Sequence, residues 1–281
     1  SAAPGFGADG IFAEDSAADF DGQYLSTRGT SAAPDVYSTQ IWFKTETKSG
    51  GKLIGFGNSR TGNSSSYDRH VWMDNSGKLH FGTWQGWAAV VSTADSYNDG
   101  EWHQVVATMG EAGMTLSVDG LPIGQRTDIT SSQVYTGHWR IGGDNLRGWP
   151  NSPRSNNFDG SLDEIAIFDK QLGAQAILNL YQATGHTADV PEPPTDAYGM
   201  AIYADNPSMY WRLDETSGNL AQDATLAGID GNIEGGVSLG VEGALGSGTG
   251  YGFGSTGAAV ISKGAVNNPN VFSTEAWFKT T

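Results

Sequence analysis

No cysteine occurs in the 281 residues, which excludes disulfides, thiolate zinc centres and cysteine nucleophiles together. Basic residues are scarce, 15 Lys and Arg against 31 Asp and Glu, for a formal net charge of −16. Such a balance repels phosphate backbones and anionic lipid, so no nucleic acid and no membrane surface is expected as a partner, whereas hard cations are attracted. The same acid excess also serves plain solubility. No apolar run approaches the ~20 residues of a membrane-spanning helix, so no membrane insertion is expected. The opening SAAPGFGADG has neither a basic start nor an apolar core, and no signal peptide is legible in it.

What is abundant is glycine, 40 residues of it, alongside 38% hydrophobic residues. Enough apolar material for a core, few runs of helical period and many turn formers together predict an all-β chain of strands joined by tight turns. Two stretches are specific. Gly100–Gly124, GEWHQVVATMGEAGMTLSVDGLPIG, alternates as two strands joined by Gly110-Glu111-Ala112-Gly113 and followed by an Asp119-Gly120 turn. Phe158–Tyr181, FDGSLDEIAIFDKQLGAQAILNLY, reads as a closing strand, a turn and one short helix, with Ile177, Leu180 and Tyr181 at helical spacing.

The chain also repeats itself. The segment from Val36 to Thr45, VYSTQIWFKT, returns as VFSTEAWFKT from Val271 to Thr280; Gly29 and Pro34 return as Gly264 and Pro269, and Gly7, Gly10 and Phe20 as Gly240, Gly243 and Phe253. Between the copies lies His186–Asp196, HTADVPEPPTD, whose prolines and acids predict an extended linker.

With IWFKT at Ile41–Thr45 and IGG at Ile141–Gly143, these pieces resemble, in order, the laminin-G-like branch of the concanavalin A-like lectin/glucanase superfamily. The resemblance implies a two-sheet antiparallel jelly-roll sandwich with one short C-terminal helix, usually a binding or spacer module and often with calcium. It divides the chain into a laminin-G-like repeat at 1–185 that lacks its first strand, a linker at 186–196, and the opening part of the next repeat at 197–281. In such domains the first strand, matched here by YWRLDE within Met209–Glu215, lies beside the closing strand. That segment is therefore expected to fill the place beside Ser161–Asp169, within this chain or from a neighbouring copy, a route to a homo-oligomer or filament by strand exchange.

The superfamily includes glucanases that set two glutamates and an aspartate at alternate positions of one strand. Here Ala166 stands where the central carboxylate is needed, and the adjacent pairs Glu14-Asp15 and Asp214-Glu215 point to opposite faces of any strand. The five histidines show no metal-protease spacing and no nucleophile elbow occurs, so the chain is expected not to be an enzyme.

Calcium is the expected cofactor, in a structural role. The resemblance implies Asp163 of the closing strand as a ligand, with Asp214 or Glu215; the other reading is that these acids cap turns. For a glycan, aromatic faces rimmed by hydrogen-bonding groups are needed. Three loops supply them: Asn58–His70, Thr83–Trp87 and Asp144–Asn157, which contain Tyr67, Arg69, Trp84, Trp87, Asn145, Arg147 and Trp149. Each tryptophan reads either as a stacking platform or as core, and Arg69 and Arg147 either contact ligand or pair with Asp68 and Asp144. Trp42, Trp102, Trp211 and Trp277 lie in strand patterns and are expected in the core. The functional expectation is an extracellular or cell-surface module of a secreted bacterial protein, non-catalytic, binding a glycan or cell-surface ligand for adhesion. The alternative is a structural repeat that assembles by strand exchange.

Overall fold

Successive residues of a strand point to opposite faces, so a strand buried at consecutive positions is covered on both sides, as several strands of this chain are. The computed structural model describes residues 3–188, 190–205, 207–244, 248–254, 257–262 and 272–280. The chain divides into two units, residues 1–188 and 189–281, at a point inside the proline- and acid-rich stretch. The first unit holds β1 (Gly5–Asp9), β2 (Ser16–Asp21), β3 (Leu25–Ser26), β4 (Ser31–Ala32), β5 (Tyr37–Lys44), β6 (Gly51–Gly57), β7 (Tyr67–Met73), β8 (Lys78–Trp84), β9 (Ala88–Ser96), β10 (Trp102–Gly110), β11 (Gly113–Val118), β12 (Leu121–Arg126), β13 (Thr136–Ile141), β14 (Asp159–Phe168) and the helix α1 (Ala174–Gln182).

These strands form the two antiparallel sheets of a jelly-roll sandwich. The first sheet runs β1-β2-β14-β5-β10-β11-β12, and the second β3-β13-β6-β7-β8-β9 with β4 also on β13. Between them lies one core, to which β5 gives Tyr37, Ile41 and Phe43, β10 gives Val105, Ala107 and Met109, and the second sheet gives Phe56, Val71, Phe81 and Trp139. The alternate residues of β5 face the other way. There Trp42 stacks on Tyr181 of α1 with ring centroids 5.6 Å apart and planes 9° apart, and Ser38 Oγ donates to the Lys170 carbonyl while accepting from Leu172 N–H. The helix buries Ile177, Leu178 and Tyr181 against that face, the spacing of an amphipathic stripe.

The turns follow their residues. Asp119 and Gly120 adopt φ of 50° and 81°, the left-handed pair of a tight hairpin between β11 and β12. The closing strand and helix form where the sequence places them. β14 is bonded to β5 from Ser161 to Phe168 and to β2 from Asp159 to Leu162, so part of the edge expected to await residues 209–215 is filled by β2.

The second unit holds α2 (Ala197–Ala204), β15 (Leu220–Ala221), β16 (Gly231–Glu234), β17 (Val237–Glu242), β18 (Thr249–Phe253) and β19 (Ala259–Ser262). Its β17–β18 hairpin repeats the β1–β2 hairpin in detail. Both are antiparallel, both shift register around the matching glycines Gly7 and Gly240, and both glycines have positive φ, where a side chain would be strained. Elsewhere the copies differ. The strand expected at 209–215 is reduced to a single bridge, Trp211 to Asp223, because the segment is held by side chains instead: buried Asp223 accepts from Tyr210 N–H at 2.9 Å, and Trp211 Nε1 donates to the Ile229 carbonyl at 2.8 Å. Trp277 was expected in the core like Trp42 and is 66% exposed. Trp42 is covered by Tyr181 and His186, whereas Trp277 meets Tyr198 edge-on, with no matching cover among the described residues. Gly264 and Pro269 lie outside the described residues.

Candidate functional site

The outward face of the second sheet collects the three polar and aromatic loops. Alternation along β7 and β8 sends Val71 and Phe81 into the sandwich and His70, Trp72, Gly82 and Trp84 to the opposite side, where Tyr67 joins them because the left-handed Arg69 interrupts the alternation of β7. The 144–157 loop folds over this side. Its Trp149 ring lies 4.1 Å from His70 and 5.7 Å from Trp72, directly above Gly82, where a Cβ would come within 2.6 Å of the indole. The loop is pinned at several points: Ser64 N–H donates to Asp144 Oδ1 at 2.9 Å, Asn145 Nδ2 to the Ser64 carbonyl at 3.0 Å, Tyr67 OH to the Arg147 carbonyl at 2.6 Å and Trp72 Nε1 to the Asn151 carbonyl at 3.3 Å.

Tyr67, Asn145, Arg147, Trp149 and Trp84 are thus brought together, Trp84 meeting Trp149 edge-on at 6.0 Å. Trp149 is only 6% exposed. It is therefore not a free stacking platform; the missing side chain at Gly82 lets the indole settle onto the sheet. Arg69 is 1% exposed and separate from the group. With φ of 50° it turns inward, where its guanidinium meets Asp68 at 2.7 Å, Asp35 at 3.2 Å and the Pro34 carbonyl at 2.7 Å. Its expected alternative partner, Asp68, is its actual one. Arg147 differs: Asp144 lies 3.8 Å from Arg140 instead, and Arg147 stays exposed.

Asp68 organises the neighbouring edge. It accepts from Tyr135 OH at 2.8 Å, from Trp84 N–H at 3.2 Å and from the hydroxyls of Thr83 and Ser132. Burial and the adjacent carboxylate push the Tyr135 phenol up, so it remains a donor. The network fixes the β8–β9 turn against residues 131–133: Gln133 N–H donates to the Trp84 carbonyl at 3.0 Å and the Gln85 amide to Ser131. The result is a shallow depression of about 280 Å³ lined by Trp84, Gln85, Gly86, Ser132 and Gln133. Trp84 is 36% and Trp87 48% exposed. The Arg126 guanidinium sits 4.9 Å over the Trp87 ring and is itself clamped by Asp128 at 3.1 and 2.6 Å, which orients the indole by a cation–π contact. Arg126, Ser132 and Gln133 carried no signal in the sequence, since they come from strands and a loop distant along the chain.

A second constellation lies on the first sheet. Asp15, Asp163 and Glu164 each place a carboxylate oxygen within 4.8 Å of the others, and of the three only Asp163 is buried. Asp163 Oδ2 accepts from Ile11 N–H at 2.9 Å and Oδ1 from Glu164 N–H at 2.8 Å, so it also holds the loop between β1 and β2 against β14. Glu164, at the bulge of β14, has φ of 45°. Asp214 and Glu215, expected beside Asp163, stand in the second unit. There Asp214 meets Arg212 at 3.1 Å, and Glu215 accepts from Gln222 N–H at 2.7 Å and Tyr251 OH at 2.5 Å.

Two sheets, a closing strand with its helix and an aromatic outward face define a lectin-type sandwich. The chain belongs to the Laminin_G_3 family of the concanavalin A-like lectin/glucanases superfamily, whose model matches residues 19–178. Among solved structures it is similar to a native heptameric SAP-like pentraxin from Limulus polyphemus, at 16% identity over 58% of this chain and 80% of that one with a TM-score of 0.45. It is similar also to the CBM40 of Ruminococcus gnavus IT-sialidase, at 16% identity over 53% and 84% with a TM-score of 0.40. Domains LG4-5 of the mouse laminin alpha1 chain share 19% identity over 62% of this chain and 46% of that one, with a TM-score of 0.42. No curated protein matches the chain. No helix among the described residues is long and apolar enough to cross a membrane.

Proposed function

We propose that the first unit is a non-catalytic carbohydrate-binding module, with the β8–β9 turn as its contact surface. The observation that carries this reading is the pair of exposed indoles, Trp84 and Trp87, beside a depression whose lining includes Gln85, Ser132 and Gln133. An indole offers a flat apolar face to the C–H side of a sugar ring, while amides and hydroxyls bond its hydroxyls. Asn145, Arg147 and Tyr67 extend the same surface toward the 144–157 loop. The module would serve adhesion in an extracellular or cell-surface protein built of tandem copies, bacterial by its cysteine-free, glycine-rich composition. Calcium would be held by Asp15, Asp163 and Glu164, hard oxygen donors of the kind that ion takes, and would tie the β1–β2 loop to β14.

A glycan array followed by titration calorimetry tests the binding reading. Trp84→Ala and Trp87→Ala are each expected to weaken the best ligand at least about tenfold, the cost of losing one well-packed aromatic contact. Wild-type affinity in both variants, or no ligand on the array, sinks the reading. A second reading, a structural repeat assembling by strand addition, is favoured by β14: β2 pairs only with Asp159–Leu162, and among the described residues no strand pairs with the β2 side of Ile165–Phe168.

A further inference from the structure

Half of the arginines in this chain are committed to ion pairs: Arg69, Arg126, Arg140 and Arg212 each meet an aspartate. Among the described residues no carboxylate pairs with Arg28, Arg60, Arg147 or Arg154, and all four are exposed. Arg60, Arg147 and Arg154 stand on the two loops, 58–66 and 144–157, that border the outward face of the second sheet. The only carboxylate on those loops, Asp144, is buried, and neither the 84–88 turn nor residues 129–134 carry one. Asp35 and Asp128 border the depression through Ser132 and Trp87, and each is held by an arginine, Arg69 and Arg126. In a chain of net charge −16 this rim is a basic island, with a local field set by arginine.

Backbone bonds bring two of these arginines to the exposed indoles. Tyr67 opens β7 opposite Gly57, the last residue of β6, and its hydroxyl donates to the Arg147 carbonyl at 2.6 Å. Arg147 N–H in turn donates to Asn145 Oδ1 at 3.0 Å. Burial and the Asp144 charge raise the Tyr67 phenol while the Arg147 charge opposes them, so the guanidinium stands close to that ring. Arg60 lies just past Gly57 on a turn held from below, where buried Arg140 donates to the Ser59 carbonyl at 2.6 Å and to the Gly62 carbonyl at 3.1 Å. Trp84 N–H donates to Asp68, beside Tyr67, at 3.2 Å. Since β6, β7 and β8 are neighbours in the sheet, the row from Trp84 past Tyr67 to the turn carrying Arg60 crosses two strand spacings, about 10 Å. Arg154 belongs to the other end of β7: its N–H donates to Asn75 Oδ1, in the β7–β8 turn, at 2.9 Å.

We propose that the ligand of this surface is an acidic polysaccharide whose sugar rings carry carboxylates, with Trp84 and Trp87 stacking on its rings and Arg60 and Arg147 each meeting a carboxylate. A guanidinium presents a planar fork that matches a carboxylate in two hydrogen bonds. Both arginines stand on backbone fixed before any ligand arrives, which lowers the ordering cost of binding. The net charge of −16 repels densely charged polyanions at a distance, so one carboxylate per ring fits this surface better than multiple sulfates. The depression is shallow, so the chain passes over it and is held along its length rather than by its end. The inference rests on the carbohydrate-binding reading and names its ligand class.

The test is titration calorimetry of the full chain, in EDTA, with polygalacturonate and with alginate, each also as its ester, which keeps the sugar backbone and removes the charge. Wild type is expected to bind one of the two acids at least about tenfold more tightly than its ester, and Arg60→Gln and Arg147→Gln each to weaken that acid about tenfold while leaving the ester unmoved. Arg154→Gln makes the same change of charge at the far end of β7 and is expected to leave both unmoved. An ester bound as tightly as its acid overturns the proposal, and so does a loss in Arg154→Gln equal to that in the other two variants, which would report overall charge rather than contact. Binding of uncharged glycans alone overturns the acidic class and leaves the carbohydrate reading standing. Binding of no glycan at all removes both.

Discussion

His103 sits between two carboxylates, Asp119 at 2.8 Å on Nδ1 and Asp99 at 3.2 Å on Nε2. Burial works against its charge, but the hydrogen bonds and charges of Asp119 and Asp99 together outweigh it, and its pKa is raised above the ordinary 6.5. A raised value in the folded state means that folding favours the proton. The stabilisation is therefore fully present below about pH 6 and is lost as pH climbs through the raised value. In urea titrations from pH 5 to 9, the stability gap between wild type and His103→Gln is expected to be widest at the acid end and to shrink on the alkaline side; a gap that does not vary with pH contradicts this role. The VDG turn that carries Asp119 was readable in the sequence because Asp-Gly has few alternatives to a tight hairpin. Arg69 was not readable as a core residue. YDRH looks like a polar loop, and only a left-handed backbone within β7 turns the guanidinium inward to Asp68.

At the scale of elements, periodicity revealed β10, β11, β14 and α1, since alternation and helical spacing report directly on which face is covered. The β1–β2 hairpin, rich in glycine and alanine, carried little such signal, and with it Asp15 escaped notice as a neighbour of Asp163. Register decides the matter: Leu162 pairs with Ala18, which brings the loop ahead of β2 to the bulge of β14. This junction is the place to test calcium. The three carboxylates come from two elements, so an ion held by them would raise the melting temperature of the chain and chelation would lower it, with an affinity of about 0.1–1 mM as in extracellular modules. Asp163 also accepts two backbone N–H groups, and replacing it would weaken the loop with or without metal. Asp15→Asn and Glu164→Gln are the cleaner variants, each expected to abolish the calcium-dependent shift while leaving the metal-free melting temperature close to wild type. No calcium response in the wild type, or an unchanged one in both variants, removes calcium from this junction. The 144–157 loop teaches the complementary lesson. Its tryptophan read in the sequence as core or as platform, with core the favoured reading, and the structure packs it over a glycine far away in the chain, Gly82.

For the molecule as a whole, the repeat in the sequence has a structural counterpart in the twin hairpins β1–β2 and β17–β18, yet identical residue patterns end in different states. IWFKT forms the central strand β5 because β10 and β14 flank it, while AWFKT at Ala276–Thr280 forms no strand. A strand is a property of its neighbours as much as of its own residues, and the same reasoning applies to YWRLDE, which keeps strand-forming residues but makes one bridge. If such a segment adds to β14 of another copy, association follows from backbone hydrogen bonding and should grow with concentration. Mass photometry of the full chain over a dilution series is expected to show dimers or longer species at the concentrated end. A synthetic peptide covering residues 207–219, added in excess, is expected to compete for β14 and return them to monomer. A chain that stays monomeric at every concentration leaves carbohydrate binding as the sole reading, because strand addition without association has no product. Association that the peptide does not reduce would place the contact elsewhere than β14, and the outward faces of the sandwich, with their exposed Trp84 and Trp87, would then be the surfaces to map.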